Sequence, residues 1–416
     1  MTPPRPSLAL ESLHGLRSCL GALALALGLS ACGGGGGGGT TTTVATAPTP
    51  ANASSAATGP VAAAANVLTI TVDKGIDNTA INAPFVTVRV CQPGSTTCVD
   101  VDHVLVDTGS NGLRLSASAL PAGFLPTVTD AGGTPVGECS RFASGYAWGP
   151  VRKADIGLAA STAAGISVHV VDDPQFAPVP ASCNTGIPNL GVGAGARGIL
   201  GIGLFAQDCG TSCEASAAPA VYFSCNGAAC VATRMPLAGQ VTNPVAALPA
   251  DNNGVVLVMP AVPEGGFATL AGSLILGIGT QPNNAFANAT VYPTNAQGFV
   301  SVVYRGTTFP NSFLDSGSNG VFVNDPTLQR CGDFYCPGAQ VTRQATVVAA
   351  NGTTTTFDFP IDNVSVVSGQ GAANLAGPTA STRAIDFGLP FFFGRTVYVA
   401  RSGAATPAGT GPYWAW

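Results

Sequence analysis

The sequence predicts an all-β chain folded as two similar β-barrel-like lobes around a cleft. Two observations carry that prediction. First, short runs rich in Val, Ile, Thr and Phe recur along the chain, separated by Gly, Pro, Asn and Asp, and convincing helical periodicity is scarce. Second, one segment occurs twice. Val104-Leu105-Val106-Asp107-Thr108-Gly109-Ser110-Asn111-Gly112-Leu113 is matched by Ser312-Phe313-Leu314-Asp315-Ser316-Gly317-Ser318-Asn319-Gly320-Val321. Each copy is an apolar strand running into Asp-Thr/Ser-Gly-Ser-Asn-Gly. A lone Asp-Ser-Gly is usually a turn, but two copies in the same apolar context point to two lobes presenting equivalent loops.

From the N-terminus, residues 1–31 read as a targeting segment. Arg17 precedes the apolar stretch Cys19 to Leu29, which is too short to span a bilayer. It ends in Leu29-Ser30-Ala31-Cys32, which resembles a bacterial lipobox, so Cys32 is the expected lipidated N-terminus. Gly33 in place of Asp favours the outer membrane, and the lipid is the expected membrane partner. Residues 32–66 read as a disordered Gly/Thr/Ala/Pro tether without Lys or Arg. Its coil reach is roughly 30–35 Å. The remaining ~350 residues suffice for two packed lobes. The first is expected at 67–245, with strands at Val67 to Val72, Phe85 to Val90 and Ile166 to Val171. The second is expected at 246–401, with strands at Gly254 to Met259, Phe299 to Tyr304 and Thr396 to Ala400. Residues 402–416 form a tail expected to pack on its own lobe.

The duplicated loops specify a chemistry. If Asp107 and Asp315 sit within hydrogen-bonding distance they cannot both ionise easily, so the pair shares a proton and titrates as a unit. One acts as acid while the other activates water as base. Gly109 and Gly317 permit tight turns and close approach of the opposite loop. The hydroxyls of Thr108, Ser110, Ser316 and Ser318 can donate to buried carboxylates or backbone, which lowers the cost of burying charge.

With these motifs in view, the chain resembles the pepsin-like aspartic peptidases. Gly198-Ile199-Leu200-Gly201-Ile202-Gly203 is similar to the apolar-apolar-Gly segment that braces the first catalytic loop in that family. Phe387-Gly388-Leu389-Pro390 is similar to its counterpart in the second lobe. Gly201 and Gly388 are thereby the bracing glycines. The segments from Gly272 to Gly277 and from Tyr292 to Asp315 follow in the family's order. The resemblance implies a bilobal acid protease fold, endopeptidase activity on a peptide or protein substrate, catalytic Asp107 and Asp315, and no cofactor or metal. The departures lie at the flap hairpin, Phe142-Ala143-Ser144-Gly145-Tyr146-Ala147-Trp148-Gly149. Phe142 stands where the family has Tyr, leaving Tyr146 or Trp148 as alternative flap aromatics, with ordinary hairpin packing as the competing reading. Arg114 replaces the Trp that usually supports the flap. The chain also resembles uncharacterised proteobacterial lipoproteins defined by a domain of unknown function.

Apart from Cys19 and Cys32, ten of the 12 cysteines remain, an even number that predicts a disulfide framework in an exported protein. Cys91/Cys98 and Cys331/Cys336 are expected as local loops, and Cys139 with Cys183 across the first lobe. Cys209, Cys213, Cys225 and Cys230 pair locally or as nested bridges, and a zinc site is a minor alternative. Charged residues make up 9% of the chain without any basic run, which argues against a nucleic-acid partner. His103 and His169 are the only histidines after the signal segment. His103 reads as a strand residue packed on the sheet. No nucleophile elbow, phosphate loop or dinucleotide fingerprint occurs. The leading expectation is an envelope aspartic endopeptidase. The alternatives are a pepsin-like lipoprotein that binds a ligand in its cleft without catalysis, and a structural envelope lipoprotein.

Overall fold

A computed structural model describes residues 59–193, 195–263, 266–367 and 370–416. The expected signal segment, Cys32 and most of the tether lie outside them. Strands dominate: among the described residues the only α-helices are Thr211–Ala215 and Leu389–Phe392.

In the first lobe, Pro84–Cys91, Cys98–Asp107, Gly198–Ile202, Asn111–Ser116, Ser161–Val171 and Tyr146–Leu158 pair in that order, and Tyr146–Leu158 returns to Pro84–Cys91. The ring closes, so these strands offer no free edge. Period-two alternation turns Val86, Val88, Val90, Val104, Val106, Leu113, Leu115, Ile156, Val168 and Leu200 into one buried cluster. In the second lobe, Val300–Tyr304 and Thr307–Leu314 form a hairpin flanked by Val341–Val348 and Thr354–Ile361. Asp386–Phe387 adds in parallel to the end of Thr307–Leu314.

A shared sheet joins the lobes. Val67–Val72 pairs with Pro84–Cys91 of the first lobe and runs antiparallel to Leu270–Leu276. The sheet continues through Gly254–Met259, Arg395–Ala400, Tyr413–Ala415 and Val291–Pro293. One expectation about the termini is corrected. Residues 61–66 are docked and do not behave as tether: the Val61 N–H donates to Ser273 Oγ at 2.8 Å, and Asn66 Nδ2 donates to the Leu276 carbonyl at 3.0 Å. The segment 402–416 packs on strands of the 246–401 range and contributes a strand of its own. Tyr413–Ala415 is a strand between two others, Trp414 is buried, and Trp416 stacks on Tyr292 at 3.9 Å. Docking pairs main-chain groups at both ends of 61–66 and along Tyr413–Ala415, which an apolar count along the sequence does not register.

The disulfides are Cys91–Cys98, Cys139–Cys183, Cys209–Cys213, Cys225–Cys230 and Cys331–Cys336. The undecided four pair locally, so none is a thiolate free for zinc. Among the described residues no helix is long and apolar enough to cross a membrane.

Candidate active site

Both duplicated loops are built the same way. The strand ending at Asp107 runs parallel to Gly198–Ile202, with Val106 opposite Leu200 and Asp107 opposite Gly201. The strand leaving the loop, Asn111–Ser116, pairs antiparallel to the other side of Gly198–Ile202. In the second lobe Leu314 stands opposite Phe387 in parallel register, and Val321–Phe322 pairs antiparallel with the same short strand. A third strand therefore wedges between the entry and exit of each loop. Gly201 and Gly388 are required at those wedges. A Cβ on Gly201 would stand 2.6 Å from the Gly112 carbonyl oxygen, and one on Gly388 would collide with the carbonyls of Ser318 and Gly320.

The loops are cross-tied by side-chain to main-chain hydrogen bonds. Thr108 Oγ1 donates to the Leu314 carbonyl at 3.1 Å and accepts the Ser316 N–H at 2.9 Å. Ser316 Oγ donates to the Val106 carbonyl at 2.7 Å and accepts the Thr108 N–H at 3.2 Å. The exchange is reciprocal and buried, so each loop supplies the partners that the other's backbone needs. Closeness at the glycines is reciprocal too. A Cβ on Gly109 would lie 2.5 Å from Asp315 Cγ, and one on Gly317 would lie 3.0 Å from Asp107 Cγ.

Asp107 and Asp315 are both 0% exposed. Asp107 Oδ1 accepts the N–H groups of Gly109 at 2.8 Å and Ser110 at 3.0 Å, while Ser110 Oγ donates to Oδ2 at 2.5 Å. Asp315 Oδ1 accepts the Gly317 N–H at 2.8 Å. Ser318 Oγ lies 2.9 Å from Asp315 Oδ2 and 2.6 Å from Asp386 Oδ2. Burial pushes the Asp315 carboxyl well above the usual carboxylate range, and the nearby charges of Asp107 and Asp386 and a hydrogen bond to Asp107 push it further. Each carboxyl group lies against the glycine turn of the opposite loop, close enough for the Asp107 charge to oppose ionisation of Asp315.

A cavity of about 490 Å³ opens beside the first loop, lined among others by Gly109, Ser110, Phe142, Phe205, Phe299 and Trp414. Neither aspartate lines it: Thr108, Gly109 and Ser110 form the wall on that side. Phe142 borders the cavity. Tyr146 and Trp148 are buried elsewhere, around the Cys139–Cys183 bridge with Phe223, and Trp148 Nε1 donates to the Ala177 carbonyl at 2.8 Å. These two aromatics pack the hairpin and do not reach the cavity wall.

Arg114 links the loop to the hairpin. Its guanidinium lies 5.8 Å from the Phe142 ring centroid, and it donates to Ser140 Oγ at 2.7 Å, to Glu138 Oε1 at 3.0 Å and to the Asn111 carbonyl at 3.0 Å. Glu138 and His169 are fully buried and 3.3 Å apart. Burial opposes ionisation of Glu138, but the charges of His169 and Arg114 outweigh it and hold the carboxyl at about 2. Burial drops His169 to about 4, so at neutral pH Arg114 supplies the positive charge. Asp208, to which Tyr222 donates at 2.6 Å, is raised well above its ordinary value by burial and by Glu138.

The structure thus unites Asp107, Asp315, Thr108, Gly109, Ser110, Ser316, Gly317, Ser318, Gly201 and Gly388. His103 lies apart, between Asp102 at 3.0 Å and Asp73 at 3.4 Å. Sequence reasoning missed Asp386, Glu138 and Asp208. One signal was available for Asp386: it interrupts the apolar-apolar-Gly pattern that Ile199-Leu200-Gly201 keeps.

Fold and site together define a bilobal β protein with a cross-tied pair of aspartate loops. The chain belongs to the family described as "Protein of unknown function (DUF3443)", whose profile matches residues 62–416. No curated protein matches. Among solved structures the chain is similar to an aspartic proteinase from Irpex lacteus, at 14% identity and a TM-score of 0.44, over 85% of this chain and 96% of that one.

Proposed function

We propose that this protein is an aspartic endopeptidase, with water activated between Asp107 and Asp315. The observation that carries the reading is the pair itself: two buried carboxyl groups, each against the glycine turn of the other's loop, on loops tied by four reciprocal side-chain to main-chain bonds. In this reading Asp107 takes the proton of the attacking water. Protonated Asp315 donates to the scissile carbonyl oxygen as negative charge develops there. The cavity beside the first loop receives the peptide, with Phe142 over it. The lipobox-like segment adds that Cys32 anchors the enzyme by lipid to the outer membrane of a bacterial envelope.

One observation favours a second reading, a cleft-binding protein without catalysis: both carboxylates are 0% exposed, so water and substrate reach them only if the covering groups move. An unbiased peptide library incubated from pH 2 to 7, with and without a transition-state-analogue inhibitor of aspartic peptidases, separates the readings. Inhibitor-sensitive cleavage supports the endopeptidase. Absence of cleavage across the whole range overturns it in favour of ligand binding.

A further inference from the structure

The two loops share a sequence but not a supply of hydrogens. In the first, Ser110 Oγ has one carboxylate neighbour, Asp107 Oδ2, and its single hydrogen serves it. In the second, Ser318 Oγ sits between two carboxylate oxygens, of Asp315 at 2.9 Å and of Asp386 at 2.6 Å. A hydroxyl carries one hydrogen, so Ser318 donates to only one of them. The other contact is a hydrogen bond only if that carboxyl group carries a proton and donates it to Ser318. The triad Asp315–Ser318–Asp386 therefore requires one acid proton beyond the serine's own.

Register shows why only the second loop has this demand. Phe313 stands opposite Asp386 where, in the first lobe, Leu105 stands opposite Ile199. An apolar residue braces one loop and an acid braces the other. Two facts fix where the extra proton goes. Ser318 makes its shorter contact with Asp386. Asp315 is wholly buried whereas Asp386 is half-buried, and the cost of a charge rises with burial. The chain of donors runs from the Asp315 carboxyl to Ser318 Oγ, and from Ser318 to Asp386. The charged groups facing Asp315 are Asp107 from the opposite loop and Asp386 from the neighbouring strand, and both oppose its ionisation.

We propose that Asp386 is a positioning residue for the aspartate pair: through Ser318 it keeps a proton on Asp315 and leaves Asp107 as the base. The inference deepens the paired-acid reading of the same site and rests on it for its catalytic meaning. Proton placement itself can be read without turnover. Infrared difference spectroscopy on the full chain follows the protonated-carboxyl band as pH rises, and the Asp315→Asn variant identifies the part due to Asp315. In Asp386→Asn the Asp315 band should vanish at a pH lower by one unit or more, and any peptidase activity should lose its basic limb by the same shift. Ser318→Ala, which breaks the link and keeps the charge, should shift it in the same direction by less, and serves if Asp386→Asn does not fold. An unchanged midpoint in the folded variants overturns the inference. A shifted band in a protein that cleaves nothing overturns only the endopeptidase reading. Cleavage with no shift overturns only the role of Asp386.

Discussion

Replacing Thr108 by Val tests whether the crossed bonds hold the lobes together. Val keeps the shape of Thr and leaves no cavity. It removes one donor and one acceptor at once, because Thr108 Oγ1 serves both the Leu314 carbonyl at 3.1 Å and the Ser316 N–H at 2.9 Å. Both stranded groups are buried, with Ser316 0% and Leu314 1% exposed. Each unpaired group costs about 1–3 kcal/mol. The extra buried methyl returns about 1 kcal/mol. The expected net loss is about 1–5 kcal/mol, a large share of a typical total stability of about 5–15 kcal/mol. Urea denaturation with the disulfides intact, followed by tryptophan fluorescence, reads the loss as a lower midpoint at constant slope. Thr346→Val is the control. It removes a hydroxyl contact of 2.8 Å to Thr356 on an exposed face and should stay within about 0.5 kcal/mol of the parent. A Thr108→Val loss no larger than the control's would refute the claim that these bonds align the two aspartates.

Other outcomes follow from the same geometry. Asp107→Asn or Asp315→Asn should each abolish inhibitor-sensitive peptide cleavage while Asp102→Asn, whose carboxylate pairs with His103 and Arg197 away from the loops, leaves most of it. Burial holds His169 at about 4 in the folded chain against 6.5 for the free side chain, so the unfolded chain takes up the proton first. Stability should therefore fall as pH drops from 6.5 towards 4, and His169→Gln should flatten that part of a urea-midpoint profile. Thiol titration of the mature protein, denatured but not reduced, should find no free cysteine, and two or more reactive thiols would contradict the five bridges. Cys32→Ser should release the protein from the membrane fraction, and retention of the variant would argue against a lipid anchor at that residue.

The sequence by itself determined the strand-rich character, the duplicated aspartate loops with their supporting hydroxyls and glycines, and three of the disulfides. These features are written in contiguous residues: period-two alternation marks a strand face, and Asp-Thr/Ser-Gly-Ser carries its carboxylate, hydroxyls and turn within four positions. Strands such as Gly254–Met259 were legible for the same reason. Tertiary structure alone decided what depends on register between distant segments. Asp386 matters because it lies opposite Phe313, and Arg114, Glu138, His169 and Asp208 meet because three strands and a loop converge. Tyr146 and Trp148 turn from the cavity because alternation along their strand is resolved by the disulfide-lined cluster beneath it. The terminal segments 61–66 and Tyr413–Ala415 are too short to declare themselves. They become structure only when the shared sheet offers backbone groups to pair with, a condition set by the fold of the whole chain and not by their own residues.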